Sequence, residues 1–210
     1  MDINQIPIVY QDDQIIVAVK PNGLLSVPGR APEHKDCLIT RIQQEHPEAL
    51  TVHRLDCETS GLVVLACNKE SQRELSRQFH DRETQKRYIA IVDGLVSDGE
   101  GEINVPLMKD WPNRPKQKID YEQGKSAQTH YKVLSHTNDE TRIELIPITG
   151  RTHQLRVHML SLGHPILGDS LYGTEQCLTK SSRMLLHALE LGFHHPTTGE
   201  WCVYQYPAEF

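Results

Sequence analysis

Asp56 sits in the run His53-Arg54-Leu55-Asp56-Cys57-Glu58, followed by a Thr59-Ser60-Gly61 turn and an uncharged stretch, Leu62 to Ala66. The layout puts an acid on a tight loop whose exit is pinned by a buried strand. A rigid element of that kind can position a nucleophile or a base. Arg54, two residues earlier, is a candidate for binding phosphate or wedging a base. A lone loop aspartate usually does no more than cap a turn, so the segment needs other residues around it to become a site. Cys57 reads as a small apolar residue and not as a nucleophile. Glu58 is the only other carboxylate nearby. A glycosidase needs two acids across one bond, and nothing supports Glu58 as the second.

Twelve histidines raise the question of a metal. None falls in His-x-x-x-His or His-Glu-x-x-His spacing, so the sequence predicts no metal site. It also has no glycine-rich phosphate loop, and no cofactor is expected. The five cysteines are scattered, with no Cys-x-x-Cys pair, and predict no disulfide framework.

The elements that must position Asp56 can be read from periodicity and punctuation. Residues 14–19 predict a strand closed by the turn Lys20-Pro21-Asn22-Gly23. Residues 37–46 predict a helix, with Asp36 as N-cap, an apolar stripe of Leu38, Ile39 and Ile42, and Pro47 as its stop. Residues 61–66 are too short and apolar for a helix and predict a buried strand. Residues 69–80 look helical, with Leu75 and Phe79 one turn apart. Tyr88 to Val92 reads as a strand ended by Asp93-Gly94, followed by a polar loop region to about residue 127. Residues 128–134 and 141–148 predict a hairpin, as do 185–193 and 201–206. Residues 152–162 predict a helix with Leu155, Met159 and Leu162 inward and Gly163 at its end. The expected class is α+β, with a largely antiparallel sheet carrying a few packed helices.

At 210 residues the chain reads as a single domain. The Met1-Asp2-Ile3-Asn4-Gln5 start has no signal-peptide character, and no apolar run approaches the roughly 20 residues of a membrane span. A cytoplasmic protein is expected. The net charge of −6 argues against a nucleic-acid partner, yet positive charge is concentrated locally. Residues 73–87 hold Arg73, Arg77, Arg82, Lys86 and Arg87. The run Trp111-Pro112-Asn113-Arg114-Pro115-Lys116-Gln117-Lys118 has three positive charges and no negative one. Confined basic patches can bind RNA while the rest of the molecule repels it.

The segment around Asp56 resembles the signature motif of the RluA-type pseudouridine synthases, with Asp56 at the catalytic aspartate. Three further segments match the same family. Lys20-Pro21-Asn22-Gly23-Leu24 is similar to its Lys-Pro-x-Gly turn. Lys86-Arg87-Tyr88-Ile89-Ala90 places Tyr88 at its active-site tyrosine. Gly150-Arg151-Thr152-His153-Gln154-Leu155-Arg156-Val157-His158 places Arg156 at the arginine that pairs with the catalytic aspartate and Leu155 at a pocket leucine.

The resemblance implies isomerisation of uridine to pseudouridine in RNA. The N1–C1′ bond breaks, the base turns, C5 joins C1′ and the C5 proton leaves. One carboxylate acts as nucleophile or base, which is assigned to Asp56. Arg156 keeps it ionised, and Tyr88 stacks on the uracil and acts at C5–H. Arg54 fills the space of the flipped base. His53, Arg114, Lys116 and Lys118 are further candidates for RNA contact, with a structural role as the alternative for His53. The resemblance also implies two substrates, a hairpin loop of 23S rRNA and the anticodon stem-loop of tRNAs. It implies a monomer and no accessory N-terminal RNA-binding domain, since only about 50 residues precede His53. The alternatives are a synthase of this type with another rRNA or tRNA target, or an RNA-binding protein without catalysis. The intact Asp, Tyr and Arg set favours the enzyme.

Overall fold

The computed structural model describes residues 6–29, 31, 35–97 and 99–210; the Met1–Gln5 start lies outside them. In chain order the elements are β1 (Ile8–Gln11), β2 (Ile15–Lys20), α1 (Leu38–Ile42), β3 (Leu50–Thr51), β4 (Ser60–Ala66), α2 (Lys69–Asp81) and β5 (Gln85–Asp93). There follow β6 (Glu100–Asn104), β7 (Leu107–Lys109), β8 (Gln117–Ile119), β9 (Gln128–His136) and β10 (Glu140–Pro147). The chain continues with α3 (Gln154–Ser161), α4 (Glu175–Lys180), β11 (Leu186–His194) and β12 (Trp201–Gln205). They divide into two compact units. One runs to Lys86 and takes in His187–Glu209; the other is Arg87–Leu186 with Phe210.

In the first unit, β2 lies antiparallel between β1 and β4, β3 pairs with the end of β4, and β11 carries β12 antiparallel. All six residues of β2 and all seven of β4 are buried. Strands covered on both faces read as unbroken apolar runs and not as alternation, which is why 14–19 and 61–66 were recognisable. Ile15, Val17, Val19, Leu62, Val64, Leu75 and Phe193 form the core. Helix α2 lays Leu75 onto it, starts at an Asn68 cap that accepts Ser71 N–H, and stops at Arg82 in the left-handed region. Helix α1 is shorter than expected. Its N-cap is Cys37, and Asp36 instead pairs with Arg41 at 2.5 Å.

One contact inside this sheet is parallel. Ser60 lies opposite His187, and Gly61 opposite Ala188. Gly61 has φ +115, and a Cβ there would lie 2.4 Å from the Ala188 carbonyl oxygen. The Thr59-Ser60-Gly61 turn therefore requires glycine for close approach as well as for its dihedral.

In the second unit, β5, β10, β9 and β6 run antiparallel in that order, and β7 and β8 make a separate hairpin. Strand β10 alternates, burying Thr141, Ile143, Leu145 and Pro147. Helix α3 is buried at every position from Gln154 to Met159. Leu162, expected inward, is exposed. Three short strands, β6 to β8, occupy the stretch read as loop. Strand β6 reads Glu-Gly-Glu-Ile-Asn and buries only Ile103, so it lacks the alternation that marks a strand.

Candidate active site

The Lys20–Ser26 turn anchors the backbone on both sides of Asp56. Ser26 Oγ donates to the Leu55 carbonyl at 2.8 Å and accepts Leu55 N–H at 3.0 Å. Lys20 Nζ donates to the carbonyls of Pro21, Leu24 and Cys57 at 2.8, 2.7 and 2.8 Å. Gly23 N–H also donates to the Cys57 carbonyl, at 3.0 Å. The Asn22 side-chain amide donates to the Glu58 carbonyl, and Cys57 Sγ donates to Gly23 O at 3.2 Å. Asp56 itself is half-buried, and its carbonyl accepts Thr59 N–H. The loop thus has little freedom to move, which is what a positioned carboxylate needs.

Lys20 is the unexpected member of this set. A lysine is almost never fully buried unless its ammonium is satisfied, yet Lys20 is 0% exposed. Three carbonyls take its three donors. Burial pushes its pKa down to about 8, and the neighbouring Asp56 carboxylate pulls it back up.

His53 is part of the packing. Its Nε2 accepts Val64 N–H from β4 at 3.0 Å, and its ring stacks on Phe79 at 4.4 Å. Burial, with the charge of Lys86 adding to it, pushes its pKa down to about 3, so the ring is neutral. This geometry fits the structural alternative for His53. Arg54, next to it, is exposed.

In the second unit, Tyr88 stands on β5 opposite Leu145 of β10. It packs against the apolar cluster that contains Leu155. Arg156, 2% exposed, is held by an aspartate that the sequence reading missed. Its Nε donates to Asp169 Oδ2 at 2.7 Å and its Nη2 to Asp169 Oδ1 at 2.6 Å. This fork-to-fork geometry fixes both distance and orientation. Asp169 Oδ1 also accepts N–H from Leu171 and Tyr172. Tyr172 then reaches across the unit. Its ring centroid lies 5.2 Å from the Arg156 guanidinium. Its hydroxyl accepts Gln117 N–H at 2.7 Å and bonds His153 Nδ1 at 2.8 Å. Gln154 fixes the start of α3. It accepts from Thr149 Oγ1 and Arg151 N–H, and donates to Gln128 O and Thr129 Oγ1. The sequence signal for Asp169 was the Gly168-Asp169 step, since aspartate commonly bonds the backbone two residues on.

The basic candidates lie around the β7–β8 hairpin. Arg114 is exposed, with its guanidinium 5.1 Å from the Trp111 ring centre. Lys116 lies 6.0 Å from the Tyr172 ring centre, and Lys118 pairs with Asp120 at 3.3 Å. The other basic stretch is partly neutralised within the fold, because Arg77 pairs with Glu74, Asp81 and Glu83.

A carboxylate on a braced loop and a buried arginine locked in one orientation are parts suited to nucleophilic or base chemistry. Comparison with known proteins identifies the class. The model of a family described as RNA pseudouridylate synthase matches residues 14–161, and the chain belongs to that family. It is an isomerase acting on RNA. Among curated relatives it is 55% identical to the dual-specificity RNA pseudouridine synthase RluA of Escherichia coli (strain K12), over 97% of this chain and 93% of that one. The protein of the same name from Yersinia pestis is 55% identical over 97% of this chain and 99% of its own. Among solved structures, human RNA Pseudouridylate Synthase Domain Containing 1 superposes with a TM-score of 0.84 at 29% identity, covering all of this chain and 86% of the human one.

Proposed function

We propose that this chain is a dual-specificity synthase, isomerising one uridine in a hairpin loop of 23S rRNA and one in the anticodon stem-loop of tRNAs. The observation that carries this reading is the 55% identity, across 97% of the chain, to proteins named for dual specificity. Asp56 is the carboxylate that acts at the sugar, and the bonds that hold Leu55, Cys57 and Glu58 support that role. Tyr88 meets the uracil and acts at C5–H, Leu155 lines the base pocket and Arg156 keeps Asp56 ionised; these roles rest on the motif matches. Arg54, exposed beside the loop, fills the space of the extruded base. Arg114, Lys116 and Lys118 bind phosphate. The reaction transfers no external group and changes no oxidation state, so we read the enzyme as cofactor-free. We further read it as a cytoplasmic monomer; among the described residues no helix is long and apolar enough to cross a membrane.

The test uses two RNAs carrying 5-tritiated uridine, a 23S rRNA hairpin and a tRNA anticodon stem-loop. The wild type should release tritium from both, and Asp56→Asn from neither while still binding them. Release from only one RNA by the wild type would remove the dual specificity. Release by Asp56→Asn at more than about one part in a hundred, a difference of about 2.7 kcal/mol, would remove Asp56 from the central role.

A further inference from the structure

Trp111 is 59% exposed, although a tryptophan is the side chain with most to gain from burial. It is held outward by a built loop. Asp110 N–H donates to Lys116 O, Lys116 N–H to Asn113 O, and Asn113 N–H to Asp110 O, at 3.0, 3.0 and 3.2 Å. The Asn113 side-chain amide bonds Asp110 Oδ2 at 2.9 Å. Below the loop, Leu107 is buried with Ala127 and Val157, and Ile119 and Tyr172 pack against them. The hairpin is therefore anchored to α3 and does not hang free.

Two cations lie close to the ring. Lys109 Nζ is 4.6 Å and the Arg114 guanidinium 5.1 Å from its centre. Between residues 109 and 118 there are four positive charges against one negative, in a chain whose net charge is −6. Both cations sit over the exposed ring, an arrangement that suits a single-stranded nucleic acid, whose phosphates draw the cations aside and whose base takes their place on the ring. It does not suit a paired duplex, whose bases are already stacked.

We propose that Trp111 is a stacking platform for one unpaired base of the RNA substrate, with Lys109 and Arg114 taking the flanking phosphates. The proposal rests on the reading of the chain as an RNA pseudouridine synthase. Because the hairpin shares Tyr172 with Arg156, the base held there would be at a fixed distance from that arginine, which gives the hairpin a part in choosing which loops are accepted.

The test measures affinity for a short RNA stem-loop, for the same stem-loop made abasic at one loop position at a time, and for a blunt RNA duplex. Trp111→Ala should bind the stem-loop roughly 5- to 150-fold more weakly, the equivalent of the ~1–3 kcal/mol of one base–aromatic stack. Trp111→Phe should recover most of it. Duplex affinity and the dependence of affinity on salt should not change, because no charge is lost. One abasic position should weaken the wild type and leave Trp111→Ala unaffected. Equal loss on stem-loop and duplex, or a shallower salt dependence, would overturn stacking and leave Trp111 as a prop for its two cations. Unchanged stem-loop affinity would overturn the proposal outright. Tritium release by the wild type on the same stem-loop separates the two levels. If it fails, the synthase reading and this inference fall together; if it succeeds while Trp111→Ala binds normally, only the inference falls.

Discussion

Arg156 and Asp169 form a buried ion pair whose members serve different ends. Breaking such a pair by removing one member leaves a charge with nothing to balance it, at about 3–5 kcal/mol, whereas replacing both with apolar groups is often neutral. Asp169→Leu alone should therefore lower stability by about that amount in urea denaturation. The double variant Arg156→Met with Asp169→Leu should recover most of it. If Arg156 has a task in the reaction, the double variant will be folded and inactive in tritium release. A folded, active double variant would reduce Arg156 to a structural residue. Little of this was legible beforehand. The motif marked Arg156 and gave it an aspartate partner, but the partner seen in its own unit lies 13 residues further along. No spacing rule connects a helix residue with a loop carboxylate at that separation. Lys20 was hidden for a related reason. A lysine after a strand reads as the start of a turn, and only the three carbonyls gathered around it explain its burial.

Among the elements, β4 fixes where the Asp56 loop ends. Gly61→Ala places a methyl group against the Ala188 backbone and forces φ +115 on an alanine. The expected result is a loss of roughly 2 kcal/mol or more, with faster hydrogen exchange at Leu62 to Val64. Normal exchange there would show that the two strands can separate without loss. The sequence showed β2, β4 and α2 clearly, because fully buried strands and a one-sided helix leave strong patterns. It did not show β6, β7 and β8. These are short, and β6 has one apolar residue to bury, so local composition looked like loop. Helix α3 was found from its motif and its Gly163 stop, but its faces were misjudged. A helix buried all round has no stripe, and Leu162 falls past its end.

For the molecule as a whole, two histidines held neutral, His158 buried and His53 partly buried, predict a weakness in acid. His53 and His158 are held neutral, with pKa values pushed by burial down to about 3 and about 4. In the unfolded chain each titrates near 6.5. Between those values the unfolded state binds more protons, so stability is fully present above about pH 6.5 and falls as the pH drops. The slope approaches ~1.4 kcal/mol per pH unit for each histidine. Urea midpoints measured from pH 7 to pH 4 should show this decline, and His158→Gln should make it shallower. A decline of the same steepness in His158→Gln would assign the acid sensitivity to other groups.

The parallel pairing of β4 with β11 also sets an order of events in time. Ser60 and His187, joined at 2.9 Å, are 127 residues apart in the chain. During synthesis the loop bearing Asp56 and the turn that braces it emerge early, and the strand at its exit, paired on one side with β2, waits for its neighbour on the other side while the whole second unit is made. That neighbour arrives only with residues 187 and 188. The ribosome therefore releases the parts of this platform far apart, and a chain that stops before residue 187 has the Asp56 loop but lacks the strand that flanks its exit.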